Sequence, residues 1–93
     1  MAATQVTDNP AHHRFEITAD GELAGFVEYE LSDGGIDLTH TVVRDEFEGK
    51  GVGGTLVKHA LDAARDRGLR VTPTCSFVAD YIERHPAYAD LVA

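Results

Sequence analysis

Apolar and polar residues alternate with a period of two from Phe15 onward. Phe15 and Ile17 fall on one face, Asp20-Gly21 offers a tight turn, and Leu23, Val27, Tyr29 and Leu31 resume the alternation. Two antiparallel strands are predicted. After a second turn, "SDGG", Ile36, Leu38, His40 and Val42 share one face and Asp37, Thr39 and Thr41 the other, which predicts a third strand. At Gly53 the period changes. Leu56, Val57, Ala60, Leu61 and Ala64 form a stripe at helical spacing, with Lys58, His59, Asp62, Arg65 and Asp66 turned to water. Gly68 is placed to end this helix in the left-handed conformation. "RVTPTC" is short and β-branched and reads as a fourth strand. Because it follows a helix, it can lie parallel to the third strand through a right-handed crossover, with Pro73 limiting its pairing. "SFVADYIERH" reads as a last helix, opened by Ser76 as N-cap and stopped by Pro86. "MAATQVTDNPAHH" is polar and aperiodic and contains Pro10, so a flexible tail is expected over 1–13, ahead of a single domain over 14–93.

Composition narrows the function classes. Sixteen acidic residues against eight basic ones give a net charge of −8, the wrong sign for neutralising phosphates along a nucleic acid. Met1 to Pro10 has no basic start followed by an apolar run, and nothing approaches the ~20 apolar residues of a membrane span. A cytoplasmic protein without nucleic-acid or membrane partners is expected, as a monomer or weak dimer. Its one cysteine, Cys75, cannot close an intramolecular disulfide, in keeping with a reducing compartment, and no cysteine-rich zinc site is available. His12, His13, His59 and His85 have no ligand-like spacing, and no metal is expected.

The chemistry concentrates in "EFEGKGVGG", residues 46 to 54, between the third strand and the long helix. A glycine-rich loop there lets unpaired backbone N–H groups converge on one point, where the helix dipole also favours negative charge. Side chains at Gly49, Gly51 or Gly53 would project into a bound anion, and Lys50 adds a positive charge beside it. A flexible turn with a glycine helix start is the plainer alternative. The order of residues matches neither the nucleotide P-loop nor the dinucleotide Gly-x-Gly-x-x-Gly fingerprint.

Three blocks in order carry a family resemblance: His-Thr-x-Val ending the third strand (His40, Thr41, Val43), Phe-x-Gly-x-Gly in the loop (Phe47, Gly49, Gly51), and Cys-Ser-aromatic closing the fourth strand (Cys75, Ser76, Phe77). With them the chain, from about Phe15 to Tyr88, resembles the GNAT superfamily of acetyl-CoA-dependent N-acetyltransferases, in its smallest branch of chains about this long. The resemblance implies an α/β fold of the α+β kind: a mostly antiparallel sheet with two splayed parallel strands around a crossover helix, plus a C-terminal helix. It implies acetyl-CoA or coenzyme A as cofactor, with the pantetheine arm in the V of the splayed strands against Thr41, Val42 and Val43. The pyrophosphate would rest on Gly49, Lys50, Gly51, Val52, Gly53 and Gly54. Glu48 departs from the superfamily, which prefers glutamine or arginine there. The implied activity is transfer of acetyl to an amine, on a small molecule or a protein, with an open acceptor site. A non-catalytic CoA-binding module is the alternative, and a phosphate-binding or interaction domain unrelated to CoA a third reading.

The resemblance brings the thioester near Cys75 and His40. His40 admits two readings: a buried core histidine with one hydrogen bond, or a base taking a proton from the amine or from Cys75. Cys75 is either a small buried hydrophobe or, just before a helix N-terminus that favours thiolate, the acceptor of the acetyl group in a covalent route; the resemblance leaves direct transfer to a bound amine, as in most of the superfamily, equally open. Tyr81 is either core packing or, as in larger relatives, the acid for the departing thiolate.

Overall fold

The computed structural model describes residues 3–93. Five strands lie side by side in the order β1 (Thr4–Asn9), β2 (Arg14–Ala19), β3 (Glu22–Ser32), β4 (Gly35–Val43) and β5 (Arg70–Thr72). The first four are antiparallel neighbours; β5 is parallel to β4, because helix α1 (Val52–Asp66) carries the chain across between them. Helix α2 (Ser76–Arg84) and a 3₁₀ turn over Pro86–Leu91 close the chain. The α+β arrangement, with its one splayed parallel pair, is the architecture the residue pattern and the resemblance called for.

Local chemistry accounts for each joint. Asp20 and Gly21 both take positive φ, 51° and 83°, the mirror-image turn whose twist matches a two-residue hairpin. Gly68, at φ 68°, follows the last turn of α1 and gives its left-handed exit. The predicted stripe of α1 is the one it buries: Leu56, Val57, Ala60, Leu61 and Ala64 are all within 1% of complete burial. They meet Phe15, Ile17, Val27, Tyr29, Ile36 and Leu38 from the sheet in one continuous core. At ~1.5–3 kcal/mol for each large aliphatic or aromatic side chain removed from water, this contact dominates the stability.

Four expectations are corrected. Residues 4–9 are not a loose tail: they form β1, antiparallel to β2. Only Val6 of this strand packs against the core, so no apolar rhythm marks it. It is held instead by polar ties to distant residues: Asp8 accepts the Tyr29 hydroxyl at 2.6 Å and an Arg67 N–H at 3.0 Å. The fourth strand does not reach Cys75; pairing ends at Thr72, one residue before Pro73, which has no N–H to give. The N-cap of α2 is Cys75 and not Ser76, which is already helical. Two β-bulges also break the simple alternation. One lies opposite Ile17/Thr18, so that Ala24 is buried and Leu23 only half-buried; the other lies opposite Glu28/Tyr29, at Thr39.

Candidate active site

β4 is paired with β3 from end to end but with β5 only at Gly35, Ile36 and Asp37. One more bond, from the Cys75 N–H to the Leu38 carbonyl at 3.0 Å, closes the seam. From Thr39 to Val43 the outer edge of β4 faces no strand, so its peptide groups are open to an extended ligand.

Across the opening stands the head of α1. Gly49 and Gly51 have φ of 77° and 75°, a conformation that side-chain-bearing residues rarely adopt. A Cβ at either would meet nothing within 4 Å, so the backbone angle, and not crowding, calls for glycine there. Gly53 is different. It is an ordinary helical residue, and an added Cβ would lie 2.7 Å from the Phe77 ring. The first bond of α1 runs from the Thr55 N–H to the Gly51 carbonyl, which leaves the N–H groups of Val52, Gly53 and Gly54 without helical partners at the positive end of the dipole.

Between these two walls lies a cavity of about 540 Å³. Thr41, Val42 and Val43 line it from β4, and Gly49, Gly51, Val52, Gly53 and Gly54 from the loop and helix. Lys50, expected among them, is exposed and outside the lining. Glu48 is exposed and does line it. Phe47 and Phe77 complete the walls. Both stood in the motif blocks without a role, since alternation and spacing say nothing of two aromatics brought to one cavity from the turn after β4 and the first turn of α2.

Cys75 sits beside this cavity. Its thiol donates to the Thr41 hydroxyl at 3.3 Å, tying the α2 cap to a cavity residue. Burial alone would push the thiol up, but the Thr41 hydroxyl and the N–H groups of Val78, Phe77 and Thr41 outweigh it and hold the group below its ordinary value. The thiol form itself makes no side-chain cap bond to α2.

His40 is not brought to that thiol. The bulge at Thr39 resets the phase of β4: Leu38 still faces the core, yet His40 pairs with the half-buried Glu28 and is exposed, while Thr41 pairs with the fully buried Val27. Because directly paired residues share a face, His40 lies on the open face of the sheet and Thr41 on the helix face. The reading of His40 as a buried core histidine is therefore overturned, and as a base it would act from the face opposite Cys75. Tyr81 stacks on His85, with ring centroids 4.0 Å apart, and its ring edge is 3.8 Å from where a Gly54 Cβ would be.

A sheet that splays one parallel pair beside a glycine-lined helix N-terminus defines the fold of the GCN5-related acetyltransferases. The sequence profile of that family, GCN5-related N-acetyl-transferase, matches residues 14–91, and the chain belongs to it. Protein NATD1 of Homo sapiens is 35% identical over 51 residues, which cover 55% of this chain and 45% of that one. Streptothricin acetyltransferase of Streptomyces lavendulae is 41% identical over 54 residues, covering 56% of this chain and 29% of that one. The matched stretches thus span less than half the length of these curated relatives. Among solved structures, a GCN5-like protein of Staphylococcus aureus superposes with a TM-score of 0.73 at 27% identity, over 96% of this chain and 87% of that one. The ribosomal-protein-S18-alanine N-acetyltransferase of Escherichia coli superposes with a TM-score of 0.63 over 76% of this chain and 64% of that one; at 17% identity the likeness is one of fold. No helix among the described residues is long and apolar enough to cross a membrane.

Proposed function

We propose that this chain is an acetyl-CoA-dependent N-acetyltransferase that moves acetyl onto a primary amine by way of Cys75. One observation carries the reading: the unpaired edge of β4 from Thr39 leads, through a cavity of about 540 Å³, to the free N–H groups at the head of α1. That cavity fits the two ends of the cofactor. Along Thr41 to Val43, the peptide groups not turned to β3 or to Cys75 offer hydrogen bonds to an amide-bearing arm, and the glycines from Gly49 to Gly54 offer N–H groups to an anion. The proposed role of Lys50 is a long-range positive charge. Glu48, on the cavity wall, opposes the anion and weakens the hold on it.

Acetyl-CoA, when bound, supplies an acetyl thioester, an acyl group already activated toward nucleophiles. Cys75 is the nucleophile. Its thiolate, favoured by Thr41 and the head of α2, forms a new C–S bond to the acetyl carbonyl as the bond to the CoA sulfur breaks. Cys75 would be left carrying the acetyl group, and the proton it gave up would return through solvent to the departing sulfur, releasing CoA as its thiol. The acceptor nitrogen then attacks the acetyl-cysteine, losing its proton as the Cys75 thiol is restored. The acceptor reaches Sγ from the open side of the V, which suits amines on small molecules and on proteins alike.

Incubation with acetyl-CoA alone should add one acetyl group, mapped by mass spectrometry to the peptide containing Cys75. Cys75→Ala should bind CoA and fail to acetylate. Transfer to an amine at the parent rate by Cys75→Ala would rule out the covalent route. CoA binding with no amine product from the parent would leave a non-catalytic CoA-binding module. His40→Gln serves as the control: from the opposite face of the sheet it should leave the rate near the parent value, and a loss of 10²-fold or more would restore it as the base.

A further inference from the structure

We infer that Phe77 is a preformed platform for the apolar middle of the pantetheine arm, and that Gly53 is glycine in order to seat it. The inference rests on the proposed binding of CoA and adds to it a residue that reads the arm and not the anion. Phe77 is 39% exposed, one of two large hydrophobic residues that are exposed among those described. The other, Leu31, stands at the hairpin between β3 and β4 and is not among the residues that line this cavity. Phe77 instead forms part of the wall between the β4 edge and the head of α1.

Its position is enforced. An added Cβ at Gly53 would lie 2.7 Å from Phe77 Cζ, 3.3 Å from Phe77 Cε1 and 3.3 Å from Val43 Cγ2. One corner of the ring thus occupies the space beside the α1 backbone that a Gly53 side chain would take, and the ring remains partly exposed along the cavity wall. Nothing in the backbone of Gly53 asks for glycine, since its φ is not positive, and glycine in a helix costs stability relative to alanine. The chain carries that cost where the ring needs the space. The ring therefore lies between the free N–H groups of α1 and the peptide edge of Thr41 to Val43, where a ligand with an anionic head and a partly apolar arm would cross it.

Phe77 also has two separable parts. Its ring faces the cavity, whereas its backbone N–H is among the groups that hold the Cys75 thiol down. Removing the ring should leave the second role intact.

Calorimetric titration of the parent, Phe77→Ala, Gly53→Ala and the double variant with CoA and with adenosine 3′,5′-bisphosphate, which lacks the pantetheine arm, tests this. Phe77→Ala should weaken CoA by on the order of tenfold, the loss of one apolar ring contact, and leave the bisphosphate within twofold. The alkylation rate of Cys75 by iodoacetamide should not change in Phe77→Ala. Gly53→Ala should weaken CoA by pushing the ring aside, and should have no further effect once the ring is gone. Unchanged CoA affinity in Phe77→Ala overturns the platform and leaves CoA binding standing; equal losses for CoA and bisphosphate overturn it by making the ring a mere support of the anion site. A parent that binds no CoA removes the proposed function and the platform together. Should Phe77→Ala fail to melt cooperatively, Phe77→Leu and Gly53→Ala carry the same comparison.

Discussion

The two halves of β4 obey different rules although they belong to one strand. From Gly35 to Leu38 it is flanked on both sides, by β3 and by β5 with its extension to Cys75, and it sends Ile36 and Leu38 into the core. From Thr39 to Val43 it keeps β3 on one side and has an unpaired edge on the other, and none of its side chains is fully buried. The bulge at Thr39 is the border. Closure on two sides fixes the fold; openness on one leaves peptide groups for something that is not the protein. A parallel pair of only three residues is thus long enough to place β5 and α2, and short enough to leave a site.

Substitution in each half should separate these roles, and the largest effect belongs to the closed half. Leu38→Ala removes a completely buried side chain, so chemical denaturation should show a loss of about 2–5 kcal/mol. A loss under about 1 kcal/mol would mean that this half is not the anchor. Gly25→Ala comes next and probes the one side on which the open half is held. Gly25 pairs with Val43, and its Cβ would lie 2.5 Å from the Val42 carbonyl oxygen, so a cost of about 1–3 kcal/mol is expected, with weaker CoA binding as Val42 and Val43 shift. Unaltered stability and affinity would show that β3 and β4 can part there freely.

A smaller effect tests the closed half through pH. Tyr29, the partner of Leu38, is pushed from 10.0 up to about 12 by burial and by the Asp8 carboxylate that accepts its hydroxyl. A raised folded-state value means that the unfolded chain gives up this proton first. The contribution is intact below pH 10 and is lost as pH climbs through about 12. Melting temperature should fall over that window in the parent and fall less in Tyr29→Phe; identical slopes would remove Tyr29 as the cause. The smallest stability change is expected from Thr41→Val in the open half, below about 1 kcal/mol. Its signature is chemical. Without the Thr41 hydroxyl, the strongest of the groups lowering Cys75, the pH midpoint of iodoacetamide labelling should move upward, and an unmoved midpoint would dismiss the Thr41 contact as a tuning device.

What lay open in the residues themselves was whatever rests on short-range chemistry. The stripe from Leu56 to Ala64 names its own helix, Gly68 its exit, Asp20-Gly21 its turn, and the strand-to-helix glycines their loop, because each depends on spacing or on a φ that neighbours along the chain already impose. The order of elements from β2 onward and the parallel pair followed from the same facts. Residues 4–9 could not be read as a strand, since Val6 alone is apolar against the core and the ties through Asp8 run to Tyr29 and Arg67, far along the chain. Nor could the face of His40 be read. In a period of two, one inserted residue moves every later side chain to the other side, and whether a bulge is inserted depends on how β4 pairs with β3 and not on β4 itself. The partnership of Thr41 with Cys75, and of Phe77 with Gly53, waited on the same decision, because each joins residues that only the packed sheet and helices bring within reach.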